Sequence, residues 1–174
     1  MPELPEVETS VQAIQEFADQ SLESIEIYNP NLRWKVDSKS FKKLFGLKVN
    51  KINRRAKYIL LHIEKSQILI HLGMTGTLRI ANKKSNFYKK HDHIEFIFQK
   101  GKLIFNDPRR FGSMHLITEP SKHFLLDKLG PEPLSIEFDG EYFFQKIKKS
   151  LSPIKNALMN QQNVVGIGNI YANE

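Results

Sequence analysis

The chain has 174 residues, no cysteine, 40% hydrophobic residues and a formal charge of +7. That is enough apolar content for a packed core, with no disulfide or thiolate metal centre, and no apolar run approaches the ~18 residues of a membrane span. A pI near 9.5 points to a polyanionic partner, nucleic acid first, against the plain alternative of a lysine-rich soluble surface.

The chain opens MPELPEVET, with two prolines and three glutamates in nine positions. A helix over Pro5–Phe17 is predicted, with Pro5 near its first turn, glutamates at the positive end of its dipole, and Val7, Val11, Ile14 and Phe17 on one face. This acidic, amphipathic start does not read as a secretory signal. LESIEIY (22–28) alternates as a strand, and SKSFKKLFG (38–46) reads as a short helix with a serine cap and Gly46 as its stop. From Leu47 a strand-rich region follows: VNKINRR, YILLHIE, QILIHLG, TLRIA, HIEFIF, KLIFND and SMHLIT. ANKKSNFYKK (81–90) is a polar, mobile loop, and LGPEPLS (129–135) is a linker. EFDGEYFFQKIKKS and SPIKNALMNQ read as helices, the second with a serine cap and proline at its first position. The final VVGIGNIYANE resembles a helix start. Basic residues gather at Lys51–Lys57, Lys83–Lys90, Arg109–Arg110 and Lys146–Lys155, while residues 1–28 are acidic.

Several residues invite chemistry. Methionine before a small residue is expected to be trimmed, which leaves Pro2 as a terminal secondary amine able to attack an electrophilic carbon and form an iminium. A nearby cation or burial would enlarge its neutral, reactive fraction. Glu3 stands beside it as a proton donor or acceptor. The bland alternative is an ordinary helix start. Lys57 is either a solvated charge or a functional group: a phosphate contact or a depressor of a neighbouring amine pKa. Met74, between two glycines in HLGMTG, is either core filler or an exposed turn residue. NDPRRFG (106–112) is either an Asp-Pro turn with a surface arginine pair or a wedge, with Phe111 intercalating and Arg109 filling or hydrogen-bonding. His91 and His93 would share a strand face, but no third metal ligand is evident, so phosphate contact or strand packing is preferred. The glycines of GIGN (166–169) would expose backbone N–H groups to a phosphate; a lone G-x-G is a weak signal.

In this order, MPELPEVET, RRAKYILL, HLGMTGTLRI, KHDHIEF, NDPRRFG, LGPEPL and GIGNIYANE resemble the bacterial formamidopyrimidine-DNA glycosylase (8-oxoguanine DNA glycosylase) family over essentially the whole chain. The resemblance implies an α+β fold: an N-terminal β-sandwich catalytic domain with flanking helices over 1–131, then a linker and an incomplete helix-two-turn-helix domain over 132–174. It implies base-excision repair: a bifunctional glycosylase and AP lyase that flips oxidised purines, 8-oxoguanine and formamidopyrimidines, out of double-stranded DNA. Pro2 would attack the sugar C1′ to give a Schiff base, Glu3 would handle protons, and Lys57 would assist elimination. Met74, Arg109 and Phe111 would fill the gap. His91, Arg109 and Asn169 would hold phosphates, joined by Lys155 from the basic stretch. The protein is expected to be a monomer of the bacterial cytoplasm and nucleoid, with no membrane association.

Departures accompany the matches. Family members continue past the equivalent of Glu174 into a C-terminal zinc finger, so the chain reads as truncated, without a cofactor of its own, and is expected to hold DNA weakly. Leu151 stands near a position where the family often carries a basic residue. Two rival readings remain: a DNA-binding remnant without chemistry, and a tautomerase-type enzyme using the terminal proline as a base. NDPRRFG and the positive charge oppose the second.

Overall fold

The computed structural model describes all 174 residues. In chain order it contains α1 (Leu4–Ala13), β1 (Leu22–Ile27), α2 (Ser38–Phe41), β2 (Val49–Arg55), β3 (Tyr58–Ile63), β4 (Ser66–His71), β5 (Thr77–Ala81), β6 (Asp92–Phe98), β7 (Lys102–Asn106), β8 (Ser113–Ile117), α3 (Gly140–Ile147) and α4 (Ile154–Met159). The strands form two antiparallel four-stranded sheets, ordered β1-β6-β7-β5 and β2-β3-β4-β8. This is the expected α+β sandwich with flanking helices. No helix is long and apolar enough to cross a membrane.

One core cluster joins the sheets. Alternation sends Ile59, Leu61 and Ile63 of β3 inward to meet Phe96, Phe98 and Phe105 of the opposite sheet, and α1 adds Val7 and Val11. The outward Leu60 and Leu69 are buried too, in a small cluster with Ile117 against which Leu125 and Leu126 pack. That second cover explains why YILLHI and QILIHL read as nearly continuous apolar runs.

Helix boundaries differ from expectation. α1 ends at Ala13, and a tight 3-10 turn over Gln15–Phe17 replaces its last turn. Ile14 and Phe17 remain buried, with the Phe17 ring 4.6 Å from that of Phe98. α2 is capped by Asp37, whose carboxylate accepts from the Lys39 N–H at 3.1 Å, not by a serine. It is shorter than predicted, passing into a 3-10 turn at Lys42–Leu44 before Gly46. In α4, Pro153 is the cap residue and no serine caps the helix; the Pro153 backbone is extended (ψ 145°), and its C=O accepts the first helical bond from Ala157.

The LGPEPLS linker is firmly tied to the strands. The Glu132 carboxylate accepts from Arg54 Nη1 (2.6 Å), Arg55 Nη1 (2.9 Å) and the Ala56 N–H (2.7 Å). Arg55 Nη2 also donates to the Gly130 carbonyl at 2.6 Å, and Arg54 Nε to Glu8 at 2.9 Å. The basic run KINRRAK is therefore largely committed internally, not displayed to a polyanion. Removing the shared carboxylate leaves two partly buried guanidinium groups short of a partner. Glu132→Ala is expected to lower unfolding free energy by about 2–3 kcal/mol, measured by urea titration.

Candidate active site

The residues just ahead of α1 bring Met1 and Glu3 to a cleft between the strands and the 160–171 segment; Pro2 lies between them and is half-buried, but does not itself line the cleft. Glu3 is the helix cap residue, and its N–H donates to Glu6 Oε2 at 2.9 Å. Its side chain is only 2% exposed. The carboxylate accepts backbone N–H bonds from Gly168 (2.8 Å), Ile170 (2.7 Å) and Tyr171 (3.3 Å). Burial pushes the Glu3 pKa up, but these three donors and the nearby Lys57 charge outweigh it and hold the carboxyl below its ordinary range. Glu3 is thus ionised at neutral pH. A Cβ at position 168 would lie 2.4 Å from Glu3 Cδ, so any larger residue there would displace the carboxylate. Within GIGN the Gly168 N–H is therefore taken by Glu3 and the Gly166 N–H by Gln161 Oε1 (2.9 Å), so neither glycine N–H is left for the expected phosphate. No regular helix starts there; the stretch forms turns, with Ala172 donating to the Gly168 carbonyl.

Lys57 lies in the two-residue turn between β2 and β3, after Ala56 in the left-handed region (φ 53°). It is not a solvated charge: it is 7% exposed, and Nζ donates to the Ile167 carbonyl at 3.0 Å. Burial lowers its pKa, partly offset by Glu3 and Glu6.

Glu3 and Lys57 line a cavity of about 450 Å³ together with Tyr58, Gln161 and Asn169. A neighbouring cavity of about 670 Å³ is lined by Met74, Arg109, Arg110 and Phe111. Met1, Arg33 and His71 line both. The methionine ahead of Pro2 thus stands, with Arg33 and His71, at the boundary between the two spaces.

The second cavity is organised by Asp107, which is fully buried. Its carboxylate accepts from Thr75 Oγ1 (2.5 Å), the Arg109 N–H (3.2 Å) and the Gly112 N–H (2.8 Å). Gly73 (φ +65°) approaches so closely that a Cβ there would sit 2.4 Å from Gly112 N. The Met74 turn and the 107–112 turn are therefore locked side by side. Met74 (42% exposed) and Phe111 (43%) project from them, and the Arg109 guanidinium lies 4.7 Å from the Phe111 ring centre.

His91 lies just ahead of β6 with φ 72°, and its carbonyl accepts from the Asp107 N–H, yet its ring stands 6.3 Å from that of His93. His93 is buried, with Nε2 2.8 Å from the Asp107 carbonyl, which is a packing role. Asn169 is exposed at the first cavity. Lys155 is half-buried on α4 and lines neither cavity.

Sequence reasoning missed His71 and Arg33. His71 ends β4 with its ring 5.1 Å from that of Tyr58. Burial, then the Arg33 and Lys57 charges, push its pKa down to about 4, so the imidazole is neutral. Its place directly before the Met74 turn in HLGMTG was the available signal. Arg33 carried none; its N–H reaches the Gly112 carbonyl through tertiary packing.

Residues 1–114 match the family model of the formamidopyrimidine-DNA glycosylase N-terminal domain, and residues 129–174 that of the formamidopyrimidine-DNA glycosylase H2TH domain. The formamidopyrimidine-DNA glycosylase of Hydrogenovibrio crunogenus is 49% identical over 177 aligned residues, which take in all of this chain and 63% of that protein. That of Haemophilus influenzae is 47% identical, with 64% of its length covered. The chain thus spans less than two thirds of these relatives. Among solved structures, Lactococcus lactis formamidopyrimidine-DNA glycosylase bound non-covalently to DNA containing an AP site superposes with a TM-score of 0.90 at 37% identity, over 99% of this chain and 67% of that one. The same enzyme with DNA containing N7-benzyl-Fapy-dG gives 0.91 at the same identity.

Proposed function

This chain belongs to the formamidopyrimidine-DNA glycosylase family, and on that premise we propose that it carries the catalytic centre of a glycosylase and AP lyase acting on oxidised purines in duplex DNA. The observation that carries this reading is the convergence of Met1, Glu3 and Lys57 on one cavity, with Pro2 between the first two in the chain, beside a turn pair that presents Met74, Arg109 and Phe111.

In the proposed reaction the Pro2 nitrogen bonds to C1′ of a flipped nucleotide. The glycosidic bond breaks, its electron pair leaves with the base, and the base takes up a proton. The proline nitrogen gives up its proton, the ring C1′–O4′ bond opens, O4′ is protonated, and an iminium results. Loss of a proton from C2′ then expels the 3′ phosphate. Glu3, ionised by its three backbone donors, suits proton acceptance and stabilisation of positive charge at the sugar. Lys57, with its lowered pKa, suits proton transfer during elimination beside a phosphate. Met74, Arg109 and Phe111 occupy the space of the extruded nucleotide, offsetting an unstacking cost of a few kcal/mol. His91, Asn169 and Lys155 supply backbone contacts in this reading. The 174 residues contain no cysteine, so they offer no thiolate set for the family's zinc finger, and no step here involves one.

The test is borohydride trapping on duplex containing 8-oxoguanine. A covalent adduct supports the glycosylase; binding without one supports a non-catalytic DNA-binding protein. Lys57→Ala is expected to lower strand scission by about 10²-fold or more, while loss of one phosphate contact makes the salt slope of affinity shallower by only about 1. Normal scission with collapsed affinity would contradict the assigned role.

A further inference from the structure

We propose that the loop between β5 and β6 is a second nucleic-acid contact, gripping the duplex beside the lesion; the proposal rests on the DNA-directed reading above. β5 ends at Ala81 opposite Lys102, whereas β6 begins at Asp92 opposite Asn106. The connection must therefore run back along the whole length of β7. It is tied down as it goes. Lys102 Nζ donates to the Ser85 carbonyl (3.2 Å), Tyr88 OH to the Asp92 carbonyl (3.1 Å), and Asn106 Nδ2 to the Lys90 carbonyl (2.9 Å). This route brings residues 87–90 to the end of the sheet from which the Arg109–Phe111 turn also projects, and the Asp107 N–H bonds the His91 carbonyl at the junction.

The loop is anchored, yet much of its side-chain surface stays open, with the Tyr88 ring held by its OH and still exposed. Phe87 is 64% exposed and Tyr88 57%, with Tyr88 edge-on to the equally open Tyr28 at 5.5 Å. Lys83 is engaged by Glu23 and Lys102 by Glu95, but Lys84, Lys89 and Lys90 are exposed and form no ion pair. Lys89 Nζ stands 5.9 Å from the Phe87 ring. Unpaired ammonium groups beside open aromatic rings suit phosphate oxygens and the apolar edges of sugars. Continuity with the turn carrying Arg109 and Phe111 favours the DNA flank over an acidic protein segment. Much of the basic run at 51–57 is committed internally, whereas the three lysines of this loop are free.

The experiment compares the 174-residue chain with the triple variant Lys84→Gln, Lys89→Gln, Lys90→Gln and with Phe87→Ala. Affinity is measured against salt on a short duplex centred on a tetrahydrofuran abasic analogue and on a longer one. On the longer duplex the triple variant should show a salt slope shallower by about 2–3, since each phosphate contact contributes about 0.9. Phe87→Ala should lose affinity several-fold there with its slope unchanged. Both should match the parent on the short duplex and in borohydride-trapped adduct yield on a separate, saturating duplex containing 8-oxoguanine. An unchanged slope, or an equal loss on both lengths, would overturn the proposal. A parent that forms no adduct yet keeps the lysine-dependent slope would support the loop contact and overturn the chemistry, so the two failures are distinct.

Discussion

Protein processed to begin at Pro2 is expected to form a borohydride-stable adduct with abasic-site DNA, and protein retaining Met1 is expected to form none. A proline nitrogen inside a peptide bond has its lone pair delocalised into the carbonyl and cannot form an iminium; a free terminal proline can. The steric argument has the same sign. Met1 lines both cavities, so its retention also leaves a side chain at the boundary where a flipped sugar would have to pass. The loss should be complete, not partial, because both obstacles act on the same bond-forming step. Intact mass and trapping on the same preparation check it, and an adduct from protein that demonstrably keeps Met1 would refute the assignment of Pro2.

Glu3→Gln is expected to damage stability and chemistry together. The carboxylate meets three backbone donors at 2.7–3.3 Å. An amide replaces one acceptor oxygen with a donor, so at least one buried N–H loses its partner, at a cost of about 1–3 kcal/mol. At about 2 kcal/mol this lowers Tm by roughly 4–8 °C for a chain of this length. The pH dependence follows from the lowered pKa. A carboxyl whose folded pKa lies below its unfolded value contributes stability that is fully present above the unfolded value. That contribution fades as pH falls from the ordinary 4.5 through the folded pKa. The gap in stability between parent and variant should therefore be widest near neutrality and shrink in acid. Adduct formation should drop by about 10²–10⁴-fold, the usual weight of a positioned acid–base group. A variant as stable as the parent at pH 7, with the same acid profile, would show that the three donors do not depend on the carboxylate.

The strand inventory was legible in the sequence, and so was the terminus to which the chemistry is here assigned by proposal. Period-two alternation is a local property, so β1 through β8 could be read from short windows, and continuous apolar runs marked the strands covered on both faces. Pro2 and Glu3 stood out because a helix start accounts for Pro5 and Glu6 and leaves them unexplained. The ordered motif runs pointed to the family that the domain matches then showed. Helix ends were less legible: Asp37 and Pro153 act as caps where serines were expected, because cap choice depends on where the backbone turns.

Tertiary structure alone decided what each charge does. Glu3 finds its donors 165 to 168 residues away, and Lys57 finds its carbonyl 110 residues away. No window of the sequence contains both partners. Arg54 and Arg55 looked like part of a basic patch until Glu132 claimed them from the linker. His71 looked like a strand residue until burial and two neighbouring cations made it a neutral ring on the boundary of both cavities. Conversely, Lys84, Lys89 and Lys90 form no ion pair: the nearby Asp92 carboxylate accepts the Lys89 backbone N–H and is claimed by Arg79. Hydrophobic periodicity reports which face of a segment leaves water. Which ionisable group is desolvated, and what compensates it, depends on the segment that packs against it, and that is a property of the folded chain.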